Sequence, residues 1–452
     1  MEMFLSVFGA GFFERMAEGD EVTLGVVASI ILIVLVLLGV RVVYATAAVG
    51  LVGLVSMLGW TGGAGNAGMV PYAKGTIYSL SVLPMFILIG FLAYHAGMTE
   101  KLFDAAKKWF GFVPGGLAVA TVFATAGFAA VSGASTATAA VFARVAIPEM
   151  LKYKYSPRLA AGVVAAGGTL ASLIPPSAIL VIYAIIVEES IGRLLVAGFI
   201  PGIVSALIYA LLIIYMAWRN PKLGPAIKGF TWPERIKSVP GTFPVASVIV
   251  IIFFSMYTGW ATPTEAGALG SFVVFIMALA GGMKWRTLRE ALLETARLTV
   301  MIFSLIWGVL IFVRFLGFVE LPTMFAEWVT HLPMSPTMIM ICILLFYVIL
   351  GMFMDAIGML LLTLPVVYPA VIALGYDPIW FGIVVVKMCE VCLITPPIGL
   401  NCYVVSGVRP DIPLQDVFRG IGPFFIADVI TLGVFLAFPA VITWLPNLMM
   451  SG

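Results

Sequence analysis

Apolar residues run along this chain in blocks too long and too continuous for a soluble fold. From Val22 to Val40 there are 19 uncharged residues, enough for one helical crossing at about 1.5 Å per residue through a hydrocarbon core of about 30 Å. Similar blocks recur to the C-terminus and predict crossings at 22–40, 43–60, 78–96, 159–187, 194–217, 241–258, 265–283, 298–316, 379–406 and 421–445. Two blocks break this pattern. Trp109 to Ala143 is 35 uncharged residues, about 52 Å as a straight helix and too long to cross once even when tilted. Its middle is the small polar run Ser132-Gly133-Ala134-Ser135-Thr136-Ala137-Thr138, which predicts a re-entrant hairpin over 113–150 with its tip there. Leu332 to Tyr376 is interrupted only by Asp355, between Gly351 and Gly358, and predicts a second hairpin over 336–372. Non-helical backbone survives at that depth only where protein or a water-filled cavity surrounds it.

The two hairpins belong to an internal repeat. Pro148, Tyr155, Pro157, Pro175 and Pro176 recur as Pro369, Tyr376, Pro378, Pro396 and Pro397, each pair 221 residues apart, and the same offset puts Ala134 on Asp355. Upstream, Gly97 and Glu100 correspond to Gly317 and Glu320 with one residue of slippage. Each pair opens an amphipathic arm. In the first arm Leu102, Phe103, Ala106, Trp109 and Phe110 oppose Glu100, Lys101, Asp104, Lys107 and Lys108; in the second, Leu321, Met324, Phe325, Trp328 and Val329 form the apolar stripe. Helical period with one polar face suits arms lying at the membrane surface.

Positive charge orients the repeats. Lys101, Lys107 and Lys108 of the first arm, and Lys152, Lys154 and Arg158 after its hairpin, read as cytoplasmic; the matching segments 317–335 and 369–378 contain no Lys or Arg and read as external. The segments Arg219 to Lys237 and Lys284 to Arg297 then fall inside, with both termini outside. The predicted fold is therefore an all-α polytopic membrane protein of inverted repeats, with two re-entrant helical hairpins and two Pro-Pro-broken helices. Its parts are N-terminal scaffold helices at 1–77, a first repeat at 78–217 (arm 97–112, hairpin 113–150, broken helix 159–187), central scaffold helices and cytoplasmic linkers at 218–297, and a second repeat at 298–452 (arm 317–335, hairpin 336–372, broken helix 379–406).

Composition agrees: 62% of the 452 residues are hydrophobic and 10% charged, with a net charge of +2, against about 25% charged in an average soluble domain. A basic nucleic-acid binder is excluded. The acidic start, Glu2, Glu14, Glu18 and Asp20 against one Arg15, opposes the positive n-region of a signal peptide, so the first apolar block is expected to be retained. Cys389 and Cys392 form a CxxC without a second pair, and with only His95 and His331 elsewhere neither metal nor redox work is expected, nor any cofactor. Thr262-Pro263-Thr264-Glu265 has the form of a capping box with proline at N1. Lys387 and Glu390, three apart on one helix, are expected to neutralise each other.

Broken helices in an inverted repeat are the architecture of secondary transporters, whose sites lie where helix ends and unwound carbonyls converge. Each double proline removes donors and frees carbonyls near Leu173 and Ile174, and near Leu393 and Ile394. Those oxygens suit a hard cation such as sodium, its shell completed by hydroxyls of Ser132, Ser135 and Thr136 or by the Asp355 carboxylate. An anion between the tips would meet helix N-termini. No paired nucleophile and base is visible, so no enzyme is expected. A stand-alone ion-coupled anion transporter or a channel is the alternative.

The runs GFAAVSGASTATAAVFARVAIPEM at 127–150, AAGGTLASLIPPSAILVIYAI at 165–185, ATPTEAGALG at 261–270, LITPPIGLNCYVVSG at 393–407 and LPMFILIGFLAYHAG at 83–97 resemble the large membrane subunit of tripartite ATP-independent periplasmic (TRAP) transporters. The resemblance implies an ion-transporter-superfamily-like, elevator-type, sodium-driven importer in the bacterial inner membrane. It also implies partners: a small membrane subunit and a periplasmic binding protein that delivers an organic acid, such as a C4-dicarboxylate or a sugar acid like sialic acid. Cation sites are implied at the first tip by Ser132, Gly133 and Ser135 facing Gly168, Ile174 and Pro175, and at the second by Asp355 and Gly358 facing Thr395, Pro396 and Asn401. Substrate between the tips is expected against Ser135, Thr136, Thr138, Asp355 and Asn401.

Overall fold

The computed structural model describes residues 21–227, 229–397 and 399–450, and among these every regular element is helical. The acidic N-terminal segment lies outside the described residues. The chain opens with α1 (Glu21–Leu37), α2 (Val42–Gly75) and α3 (Val82–His95), followed by the arm α4 (Met98–Phe110). The first hairpin is α5 (Gly116–Ser132) and α6 (Ser135–Lys152); the first broken helix is α7 (Pro157–Leu173) with α8 (Ala178–Val187), leading into α9 (Ile191–Arg219). The short α10 (Trp232–Ser238) precedes α11 (Phe243–Tyr257), α12 (Pro263–Ala280) and α13 (Trp285–Phe318). The second half repeats the first half's order: arm α14 (Leu321–Thr330), hairpin α15 (Pro336–Gly351) and α16 (Ala356–Ala373), broken helix α17 (Pro378–Ile394) and α18 (Leu400–Val408), then α19 (Leu414–Ala437) and α20 (Ala440–Met450). Ala134 and Asp355, one repeat apart, are both N-caps of a hairpin's second helix.

Nine stretches among the described residues are long and apolar enough to cross a membrane, so the chain is a multi-pass membrane protein. The helix expected to end at residue 60 does end there: Gly59 (φ 69, ψ 172) interrupts α2, and a second glycine-rich helical run continues to Gly75, folded back so that a Cβ on Gly63 would lie 2.5 Å from the Val55 amide nitrogen. Two boundaries move from their expected places. The crossing expected at 298–316 begins at Trp285, where an amphipathic start buries Leu288, Ala291 and Thr295 and carries its charges on the other side. The expected 421–445 crossing is two helices, parted at Phe438. The capping box holds, with the Thr262 amide donating to Glu265 Oε2 at 2.7 Å.

The two broken helices are the core. Every residue of α7 from Leu159 to Leu173 and of α17 from Ile379 to Ile394 is buried, as a helix hydrophobic all round requires. Lipid-facing apolar surface lies instead on the outer helices, for example Leu24, Ile30, Val52, Leu211, Val300 and Ile430. Small residues bring the inner helices together, as is common between membrane helices. A Cβ on Gly162 would collide with the Gly420 carbonyl oxygen, and one on Gly420 with that of Arg158, locking α7 to α19. Lys107 of the first arm pairs with Glu149 of the first hairpin at 3.1 Å, so the arm is fixed to the hairpin by charge as well as by its buried stripe.

Gly420→Ala should lower stability by about 1–3 kcal/mol, the usual cost of overpacking. Gly433→Ala in the same helix, with open space at its Cβ, should be neutral or gain up to about 1 kcal/mol from helix propensity. Thermal unfolding in detergent checks both; equal behaviour would contradict the close packing at Gly420.

Candidate functional site

At the first tip α5 ends at Ser132, and Gly133 turns the chain with φ 58, a left-handed conformation that favours glycine. A second reason for glycine is space, since a Cβ there would sit 2.7 Å from the Pro176 carbonyl oxygen. The tip therefore rests on the first break. Ser132 Oγ and Thr138 Oγ1 lie 2.8 Å apart, and Thr138 donates to the Ala134 carbonyl at 2.9 Å. Gly168 admits the Ser135 carbonyl, which a Cβ would meet at 3.1 Å. Ile174 takes an extended conformation and ends α7, and Ser177 restarts the helix as the N-cap of α8, accepting from the Leu180 amide.

At the second tip Asp355 caps its own helix: Oδ2 accepts from the Ile357 and Gly358 amides, each at 3.2 Å. Gly358 gives the carboxylate room, since a Cβ there would meet Oδ1 at 2.8 Å. Thr395 donates its hydroxyl to the Val391 carbonyl at 2.6 Å, and Pro396 is exposed. Neither hydrogen-bonds to the second tip among the described residues. Asn401, expected opposite the second tip, reaches the first instead. Its amide donates to Ser135 Oγ and to the Ala165 carbonyl, both at 3.0 Å, while its own Oδ1 is buried without a donor.

One cavity of about 810 Å³ joins these parts. Residues 132–137 of the first tip and 355–357 of the second line it, with Ala178 and Ile179 after the first break and Leu393 and Leu400 on either side of the second. Thr136 is in its wall, whereas Thr138 is turned into the hairpin. α3 and α13 close the other side with Phe86, Phe91, Met301 and Leu305. The charged groups in the wall are Asp355 and, at the start of α13, Glu294 and Arg297. His95 lies 2.9 Å from Glu294.

Residues 29–441 match the family described as "Tripartite ATP-independent periplasmic transporter, DctM component". The chain belongs to this family of TRAP transporter large permeases. Among its relatives, the C4-dicarboxylate TRAP transporter large permease protein DctM of Pseudomonas aeruginosa is 36% identical, over 82% of this chain and 86% of its own. The sialic acid TRAP transporter large permease protein SiaM of Vibrio cholerae is 31% identical, over 83% and 87%. The 2,3-diketo-L-gulonate TRAP transporter large permease protein YiaN of Escherichia coli is 32% identical, over 81% and 86%. In structure the chain is similar to the YdaH transporter of Alcanivorax borkumensis, with TM-score 0.55, 12% identity and coverage of 80% of this chain and 86% of that one; this likeness concerns the fold. The relatives are named permeases, and this TRAP chain is a permease, not an enzyme.

The permease also buries a charged group that pattern reading passed over. Asp428, one carboxylate inside an apolar helix, lies 2.8 Å from Lys387 and joins the Lys387–Glu390 pair, itself 2.8 Å long. An acid within a membrane helix is the signal that marks it. Cys389 and Cys392 are buried free thiols, the second directed at the Tyr347 carbonyl at 3.4 Å.

Asn401→Ala removes the amide group that donates to both Ser135 Oγ and the Ala165 carbonyl, so stability should fall by about 1–3 kcal/mol. Thermal unfolding of the detergent-purified permease measures this, and an unchanged midpoint would mean that the amide does not tie α18 to the first tip.

Proposed function

We propose that this permease imports a small organic carboxylate, driven by sodium, through an elevator movement in the bacterial inner membrane. The observation that carries this reading is the single cavity lined by both tips. Oxygen donors gather at each end of it. The first tip offers the hydroxyls of Ser132 and Ser135, the unpaired Asn401 Oδ1 and the Pro176 carbonyl; the second offers Asp355 Oδ1, left free by the bonds that Oδ2 makes. Such sets suit sodium. The substrate carboxylate lies between them, where the N-terminus of α6, which has no side-chain cap, and that of α16 direct their positive dipole ends inward. C4-dicarboxylates, sialic acid and diketogulonate, named for the relatives, define its class: anions of modest size.

The cavity extends to Glu294 and Arg297, at the end of α13 that the positive charge pattern assigns to the cytoplasm, so we read this conformation as open inward. The moving unit consists of both hairpins and both broken helices. The helices after the broken ones, α9 and α19, travel with it in this reading, because a sliding surface cannot run through the backbone contact of Gly162 with Gly420, the buried Lys387–Asp428 pair joining α17 to α19 or the buried Tyr209–Asp428 bond joining α9 to α19. α1–α3 and α11–α13 form the scaffold, with α4 and α14 as connecting arms. A small membrane subunit and a periplasmic binding protein complete the system by analogy with the family's tripartite name.

Uptake into proteoliposomes carrying this chain, its small subunit and the binding protein tests the proposal. Asp355→Asn and Ser135→Ala should each raise the half-saturating sodium concentration by about tenfold, the equivalent of roughly 1.4 kcal/mol per lost ligand, while the protein remains folded. Uptake at the wild-type rate and sodium dependence would contradict both assignments, and conductance without saturation would make the chain a channel.

A further inference from the structure

Lys387, Glu390 and Asp428 form an ion cluster with no exposed surface. Lys387 Nζ stands 2.8 Å from Glu390 Oε2 and 2.8 Å from Asp428 Oδ1, and over the ring of Tyr209 at 5.5 Å from its centroid. Tyr209 of α9 donates to the same Asp428 oxygen at 2.6 Å. The remaining oxygens, Glu390 Oε1 and Asp428 Oδ2, are buried and have no donor. One ammonium thus faces two carboxylates. Among the described residues no other cation pairs with either acid. The titratable neighbours acting on the cluster are Tyr209 from α9 and Cys389 from α17 itself; α7 presents Thr169 towards Tyr209 and its end at Leu173 towards Glu390. Full ionisation would leave a net charge of −1 in an apolar interior, where an uncompensated charge is neutralised rather than kept.

We infer that this cluster is a proton-binding site whose one proton rests on Glu390, since Asp428 already accepts from both Lys387 and Tyr209 while Glu390 accepts from Lys387 alone. The ammonium already occupies the position between the two acids that a metal cation would need, and the unpaired oxygens accept the smallest available charge. With the proton bound, the cluster is neutral and joins α9, α17 and α19 behind the two breaks, apart from the cavity and its candidate sodium sites. The inference does not depend on the transport reading. A resting protein, without substrate or partners, is enough to examine it.

Infrared spectroscopy of the full-length protein in detergent at neutral pH gives the test. The wild type should show a carbonyl stretch from a protonated carboxyl that is lost in Glu390→Gln and equally lost in Asp428→Asn. Either change leaves one carboxylate for one ammonium, so the reason for the proton disappears. Asp355→Asn should keep the band, which separates the cluster from the second tip. In the wild type alone, which needs no variant to fold, the band should vanish as the pH is raised and should not change when sodium is replaced by potassium or choline. Absence of a protonated-carboxyl band overturns the inference. So does a band retained in either single variant of the cluster, or one that emerges only when sodium is withdrawn, which would make the ligand a metal cation.

Discussion

Inside hydrocarbon, a backbone amide or carbonyl that leaves the helical ladder costs several kcal/mol unless protein or water receives it. This chain leaves the ladder at four places near mid-depth, and the surrounding structure follows from how those groups are received. The Gly133 amide still reaches Ala129, Thr138 covers the Ala134 carbonyl, Ser177 bridges the first break from Ser172 to Leu180, and Asp355 takes two amides of its own helix. None of these solutions tolerates lipid. Hence α7 and α17 are buried on every side, and small residues draw α5, α6 and α19 onto them.

The same constraint makes a binding site almost unavoidable. Groups that are received by short, local bonds retain spare oxygen valences, and four such places brought to one depth enclose a cavity with oxygen donors at its ends. The two ends are not alike. Where the second repeat has the carboxylate of Asp355, the first has Ala134 and relies on hydroxyls and on the Asn401 amide supplied from the other half of the chain. A cation at the second tip meets a formal charge; one at the first meets only dipoles. Geometric symmetry therefore coexists with electrostatic asymmetry, and under the proposed sodium coupling the two ends would differ in affinity for the ion.

Much of this was legible before any coordinates. The offset of 221 residues placed Ala134 opposite Asp355, and both proved to be caps; the double prolines located both breaks; the over-long uncharged block identified the first hairpin. What stayed hidden needed the third dimension. Asn401 bonds Ser135 across 266 residues, a pairing that no local period encodes. Lys387 and Glu390 read as a self-sufficient pair because their i, i+3 spacing offered an adequate explanation, and only packing adds Asp428 and Tyr209 and alters the charge balance. The helix start expected at 298 was misplaced because the charges before it were taken as punctuation, whereas an amphipathic surface turn lets the helix begin at Trp285.

The central claim, that cations bind at the tips, is tested most directly by thermal unfolding of the purified protein in detergent across a sodium series, against potassium or choline at matched ionic strength. A ligand that binds only the folded state raises its stability with concentration. The account predicts a sodium-specific rise that shrinks in Ser135→Ala and in Asp355→Asn. An unfolding midpoint that is the same in all three salts, or a sodium effect untouched by both substitutions, would contradict it.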